Sequence, residues 1–193
     1  MVNLAINGIG RIGKLVLKLL ISKNFNVKYL NELNGNTNSL IHSIEFDSIH
    51  GKWQANIEEG KDEIKIDGKS IKATFVENIN DLSLDNVDIM IDCTGVYKSS
   101  SKLQKYFDKG IKKVIVSAPI NEDNIVNIAY GVNHNIYKSK EHNIITGASC
   151  TTNCIAPIIK VLHENIGINH GSITTIHNLT NSQTLVDIPH NDL

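Results

Sequence analysis

The chain has 193 residues, 41% of them apolar, and a formal net charge of −1, which describes a soluble globular protein with room for one ordinary core. A near-neutral balance without a basic run gives no electrostatic footprint for nucleic acid or an anionic membrane, so neither partner is expected. The three cysteines, Cys93, Cys150 and Cys154, are too few and too unevenly placed for a disulfide framework, and no second Cys or His pair at zinc-ligand spacing joins them, so reduced thiols and no metal are expected.

The first eight residues reach a strand and a glycine turn almost at once, leaving no charged leader and no long apolar segment, and a cytoplasmic location is expected. Residues 2–6 are a short apolar run ending at Asn7-Gly8, and Ile12, Leu15, Val16, Leu19 and Leu20 then recur at helical spacing. A second β-rich run, 26–30, ends at Asn31-Glu32, so residues 2–32 predict a strand-helix-strand unit of a parallel sheet. Asp67-Gly68, set between the runs 63–66 and 70–75, signals a hairpin and an antiparallel excursion. Parallel-strand patterns resume at 87–91 and 113–116, with a helix over 101–109 between them and Gly110 as its stop. Short runs at 125–129 and 143–145 lead to a helix over 150–164 with Ser149 as its N-cap, and 171–177 reads as a β-branched strand.

Two constellations carry chemistry. Gly8-Ile9-Gly10-Arg11-Ile12-Gly13 fits G-x-G-x-x-G after a strand and at the opening of a helix, where glycines permit a tight turn and close approach of backbone to a pyrophosphate. Glu32 closes the second strand at the offset, roughly 20 residues, expected of a carboxylate that accepts the adenosine ribose hydroxyls, which favours NAD over NADP. Arg11, at the helix start, reads as a pyrophosphate partner. The second constellation is Cys150 at the start of a predicted helix with His177 at the end of the next predicted strand, joining a thiol nucleophile to a base. A free thiol titrates near about 8.5, and a helix start and a neighbouring imidazole both favour its thiolate. Cys154, one helical turn along, and Cys93 read as small buried, inert thiols. His50, His134, His163 and His170 read as surface or structural histidines. The expected fold is α/β, a Rossmann-type doubly wound and mainly parallel sheet with an antiparallel hairpin excursion, with an NAD-binding domain over 1–148.

N-x-x-I-N-G-x-G-R-I-G at 3–13, F-D-S-x-H-G-K at 46–52 and S-C-T-T-N-C at 149–154, with shorter pieces at Thr94-Gly95, 112–119, 131–134 and 174–177, resemble the phosphorylating glyceraldehyde-3-phosphate dehydrogenase family along the whole chain. The resemblance implies that Cys150 attacks the aldehyde of glyceraldehyde 3-phosphate, that His177 is its base, and that inorganic phosphate displaces the resulting thioester as an acyl phosphate. It also implies cofactor contacts at Asn7, Gly8, Gly10, Arg11, Ile12, Gly13, Glu32, Thr94, Gly95 and Ser117, and substrate or phosphate contacts at Ser149, Thr151, Thr180 and Ser182. By the same resemblance, 149–193 is the truncated start of an α+β catalytic domain, and the full-length protein is a homotetramer.

The departures carry expectations of their own. Leu179 replaces the aromatic residue that glycolytic members carry two places after the histidine. With Asn31-Glu32 and the segment 45–47, it resembles the paralogue of arsenate-resistance operons, which uses arsenate in place of phosphate. The sequence stops at Leu193 where the family continues, so an N-terminal fragment, poorly active alone, is expected. Two competing readings are an erythrose-4-phosphate dehydrogenase, against which Thr180 counts, and a redox-sensing module in which Cys150 is oxidised, against which its pairing with His177 counts.

Overall fold

The structure is a computed structural model that describes residues 1–47 and 49–177. Asn3–Asn7 (β1), Arg11–Ser22 (α1) and Asn26–Asn31 (β2) form the first strand-helix-strand unit. Thr37–Glu45 (α2) follows, then the short pair Phe46–Asp47 (β3) and Gly51–Lys52 (β4). Ile57–Gly60 (β5), Glu63–Ile66 (β6) and Lys69–Thr74 (β7) lead to Ile89–Asp92 (β8), Ser100–Phe107 (α3) and Lys113–Val116 (β9). Val126–Asn127 (β10), Ile144–Thr146 (β11) and Cys150–Asn165 (α4) complete the order.

One nine-stranded sheet carries the fold, in the order β10-β11-β9-β8-β1-β2-β7-β6-β5. Every pairing from β10 to β7 is parallel, and only β6 and β5 run as an antiparallel meander. The predicted excursion is therefore the edge of the main sheet itself, lengthened by β5, whose sequence lacks the alternation that would announce it. From β1 the chain runs outward through β2 to β7, then returns to the opposite side of β1 at β8. That reversal opens a crevice at the carboxyl ends of the strands, the general ligand site of doubly wound sheets.

Alternating strand residues feed two cores, because successive side chains leave a strand on opposite faces. Ala5 and Met90 pack with Leu103 and Tyr106 of α3 on one face, while Ile6 and Ile91 pack with Leu17 and Ile21 of α1 and Leu40 and Ile44 of α2 on the other. The buried positions of α1 are Gly13, Leu17 and Ile21. The spacing predicted Ile12 and Leu19 on that stripe; instead they are exposed, because close packing of Gly13 under the glycine turn rotates the helix.

Helix α2 was not legible from apolar periodicity. It begins with a capping box, in which Asn36 Oδ1 accepts from the Ser39 N–H at 3.0 Å and Ser39 Oγ accepts from the Asn36 N–H at 2.9 Å. The F-D-S-x-H-G-K segment fastens the following turn to α1: Asp47 accepts from Lys14 Nζ at 2.6 Å and from the Ile49 and His50 N–H groups at 2.9 Å. Lys14, then these backbone donors, hold the Asp47 carboxyl well below the usual carboxylate range.

Residues 171–177 carry no regular secondary structure and all are exposed, which corrects the predicted strand. A strand needs a neighbour to take its N–H and C=O groups, and β-branched composition alone does not supply one; among the described residues no strand lies beside this segment. Helix α4 has no buried residue and exposes Ile158, Ile159, Val161 and Leu162. Lys160 Nζ, donating to the Gly131 carbonyl at 2.8 Å, ties its midpoint to the sheet domain. No helix among the described residues is long and apolar enough to cross a membrane.

Candidate active site

The glycine turn leaves β1 at the crevice. Gly8 sits at φ +88°, and a Cβ there would lie 2.8 Å from the Thr94 nitrogen; a Cβ on Gly13 would overlap the Gly8 carbonyl oxygen. These two glycines are therefore required by the protein's own packing. Gly10 is different: a Cβ there meets no protein atom within 4 Å, so its open side faces the space in front of the turn. That space is a cleft of about 520 Å³ lined by Asn7, Gly8, Gly10, Arg11, Ile12 and Glu32, with Thr94 on the far wall.

Glu32 closes one side. Its carboxylate accepts from the Ile9 N–H at 2.6 Å and from the Leu33 N–H at 3.0 Å, which fixes the acid against the glycine turn. Thr94 is fixed on the other side, where its N–H and hydroxyl both donate to Asp92 Oδ1, at 3.1 and 2.8 Å. A cleft with backbone amides at a helix start, a carboxylate at one end and a hydroxyl-bearing wall fits a dinucleotide. Among the described residues no group of three or more His, Cys, Asp or Glu side chains could hold a metal ion.

The thiol lies at the same edge of the sheet, beyond β11. Gly147 N–H donates to the Val116 carbonyl at 2.9 Å, keeping the loop on β9, and Ala148 then adopts φ +56°, a strained conformation for a residue with a Cβ. Ser149 caps α4 as predicted, its Oγ accepting from the Thr152 N–H at 3.0 Å. Asn153 reaches back to the Gly147 and Ser149 carbonyls at 2.7 and 2.9 Å, so the turn that presents Cys150 is tied on both sides. Cys150 Sγ lies 3.2 Å from His177 Nε2. The His177 hydrogen bond first, then that of the Thr151 hydroxyl, lowers the Cys150 pKa below the ordinary thiol value. Cys93 shows the opposite behaviour: burial pushes its thiol up to about 11.

A family model described as "Glyceraldehyde 3-phosphate dehydrogenase, NAD binding domain" matches residues 2–100, just over half of the chain. The chain belongs to the glyceraldehyde-3-phosphate dehydrogenase family. The same family's C-terminal domain model matches residues 149–193. Glyceraldehyde-3-phosphate dehydrogenase 3 of Nostoc sp. is 41% identical over 195 residues, covering all of this chain and 58% of that protein. The Thermotoga maritima glyceraldehyde-3-phosphate dehydrogenase is 40% identical, covering all of this chain and 59% of its own length. A Bacillus subtilis relative, glyceraldehyde-3-phosphate dehydrogenase 1, is 38% identical over 99% of the chain. The chain thus spans under two thirds of the length of these relatives.

Within this family frame, the cleft gathers most of the predicted cofactor residues. Gly13 lies buried beneath the turn, and Gly95 and Ser117 stand outside the lining; Ser117 hydrogen-bonds Cys93. Sequence reasoning missed Asn31, Val76 and Tyr97 as cleft residues, since nothing in their local patterns distinguishes them from strand ends and loop positions. It also missed Asn153 as the brace of the Cys150 turn, whose signal was an amide one helical turn after the cap. Cys154 is exposed, not buried, on a helix none of whose residues is fully buried. Thr180, Ser182 and Leu179 lie outside the described residues.

Proposed function

We propose that this chain carries the NAD-binding domain, over 1–148, and the thiol centre, at the start of a catalytic domain over 149–193, of an NAD-dependent phosphorylating glyceraldehyde-3-phosphate dehydrogenase. The observation that carries the reading is the 3.2 Å approach of Cys150 Sγ to His177 Nε2 at the start of α4. It is supported by the placement of both constellations along one edge of a parallel sheet: β11 stands three strands from β1, about 14 Å at ordinary strand spacing. A dinucleotide bound at the glycine turn reaches across that span towards the thiol.

His177 takes the thiol proton, and Cys150 Sγ bonds to the aldehyde carbon of glyceraldehyde 3-phosphate to give a thiohemiacetal. The backbone N–H of Cys150, in the first helical turn where no helical carbonyl precedes it, is available to the oxyanion that forms. NAD, when bound, supplies the hydride acceptor. His177 returns its proton to that oxyanion to complete the hydroxyl, then takes it back as the thiohemiacetal carbon loses hydride, leaving a thioester on Cys150. An oxygen of inorganic phosphate then bonds to the acyl carbon, the carbon–sulfur bond breaks, and the acyl phosphate leaves as the thiolate is restored. Thr151, with Ser149 beside it, holds phosphate near the thioester, and Thr180 and Ser182 hold the substrate phosphate. Asn7, Gly8, Gly10, Arg11, Ile12, Glu32 and Thr94 bind the dinucleotide, with Gly13, Gly95 and Ser117 shaping the turn and strand ends that present them. Glu32 favours the free ribose hydroxyls of NAD and repels a 2′-phosphate.

The reading extends to the homotetramer and the cytoplasmic setting that the family resemblance implies. A Cys150→Ser form of the complete protein tests it: NAD binding is retained and NADH formation from glyceraldehyde 3-phosphate is lost, whereas retention of NADH formation would defeat it. Leu179 supports a second role, with arsenate replacing phosphate as acyl acceptor; rates of thioester discharge by the two anions decide between them.

A further inference from the structure

Four polar side chains from distant parts of the sequence meet under the floor of the cleft. Asn7, Asn31 and Asp92 are 4%, 6% and 0% exposed, and Tyr106 is fully buried. Polar groups so placed are costly unless paired, and their pairing has a fixed direction. Asn31 Oδ1 accepts from the Val76 N–H at 3.0 Å while Asn31 Nδ2 donates to the Val76 carbonyl at 2.9 Å. A backbone N–H cannot accept and a carbonyl cannot donate, so the Asn31 amide has one allowed orientation. Its Nδ2 then donates to Asn7 Oδ1 at 2.8 Å, which turns Asn7 Nδ2 to the Tyr106 hydroxyl at 2.6 Å. Tyr106 in turn donates to Asp92 Oδ2 at 2.7 Å. At the far end Asp92 Oδ1 accepts the Thr94 N–H and hydroxyl. Each link sets the next, from one backbone anchor to the other.

Both anchors, Val76 and Thr94, line the cleft, as do Asn7 and Asn31 themselves. We propose that Asn31, Asn7, Tyr106 and Asp92 form a polarised hydrogen-bond relay across the cleft floor, which holds the Val76 and Thr94 walls in register for the dinucleotide. Tyr106 and Asp92 are positioning residues: neither lines the cleft, and they act through the strand ends they tie together. The inference rests on the NAD reading for its ligand, although the relay itself is defined without it.

Asp92→Asn is the decisive change, because it puts a donor where the Tyr106 hydroxyl needs an acceptor. With the amide oxygen held by the Thr94 N–H, which can only donate, the hydroxyl accepts from the introduced amide and donates to Asn7, reversing the Asn7 amide and setting it donor to donor against Asn31. In the 193-residue chain, isotope-edited NMR of the side-chain amides should show the Asn7 and Asn31 signals moving together in this variant. Calorimetric titration should show the Kd for NAD rising about tenfold, as expected when one or two buried polar groups lose their partners. A Leu103→Ala variant, destabilised in the apolar core beside Tyr106, should keep the Kd within about twofold of the unaltered chain, which separates positioning from general loss of stability. Should Asp92→Asn not fold, Tyr106→Phe cuts the middle link and is read the same way. In the unaltered chain the Asn7 and Asn31 amide protons should be protected from solvent exchange. Unmoved Asn7 and Asn31 signals, an unchanged Kd in the Asp92 or Tyr106 variant, or rapid exchange of those amide protons would overturn the relay. Failure of the unaltered chain to bind NAD, with the amide signals behaving as described, would instead overturn the cofactor reading.

Discussion

Gly10 and Gly13, three residues apart in one turn, answer to different constraints. A methyl group at Gly13 overlaps the Gly8 carbonyl oxygen, while one at Gly10 meets no protein atom. Gly13→Ala should therefore cost about 1–3 kcal/mol of stability through overpacking as well as NAD affinity. Gly10→Ala, at a φ of −71° that alanine accepts, should leave urea unfolding within about 0.5 kcal/mol of the unaltered chain while NAD binding fails. The thiols separate in the same manner. Cys150 and Cys154 are both exposed, but Cys150 lies 3.2 Å from His177 Nε2, and that hydrogen bond first, then that of Thr151, lowers its pKa. Its thiolate is thus populated at lower pH than in the unfolded chain, and its reactivity falls only as pH drops through that depressed value. Alkylation followed by mass spectrometry should place the Cys150 profile at lower pH in the folded chain than in the denatured one, and His177→Ala should move it to higher pH. A Cys150 profile unmoved in the His177→Ala variant would contradict the pairing.

At the scale of elements, the strand-helix-strand start, the 63–66 and 69–74 hairpin and the capped helix at 150–165 were legible because each announces itself within a few residues. A glycine turn, an Asp-Gly and a serine N-cap are local chemistry. Helix α2 was not legible by periodicity, since only Leu40 and Ile44 turn inward, and its signal was the Asn36 and Ser39 cap alone. Residues 171–177 misled in the opposite direction, because a strand is a property of a pair and its sequence shows one member. Both caps carry measurable weight: Asn36→Ala and Ser149→Ala should each lower stability by about 1 kcal/mol in denaturant unfolding. Ser149→Ala should also raise the pH at which Cys150 alkylates, since the same cap holds the helix start against the thiol. An unchanged pH profile would detach the cap from the chemistry.

For the whole molecule, parallel pairing is what makes separate motifs into one site. All seven parallel strands point their carboxyl ends to one edge, so the turns after β1, β2, β8 and β11 arrive together although they lie far apart in sequence. The motif residues of that edge were readable one by one, whereas the Asn31, Asn7, Tyr106 and Asp92 relay was not, because its members share no spacing and only the sheet order brings them into contact. The chemistry proposed for that edge is a thioester on Cys150, formed with His177 as base and discharged by phosphate. It is tested most directly by rapid mixing of the complete protein with NAD and glyceraldehyde 3-phosphate in the absence of phosphate. The expected result is a stoichiometric burst of NADH that stops, an acyl group recovered on Cys150, and sustained turnover once phosphate is added. Absence of the acyl group from Cys150, or a full burst from Cys150→Ser, would contradict it.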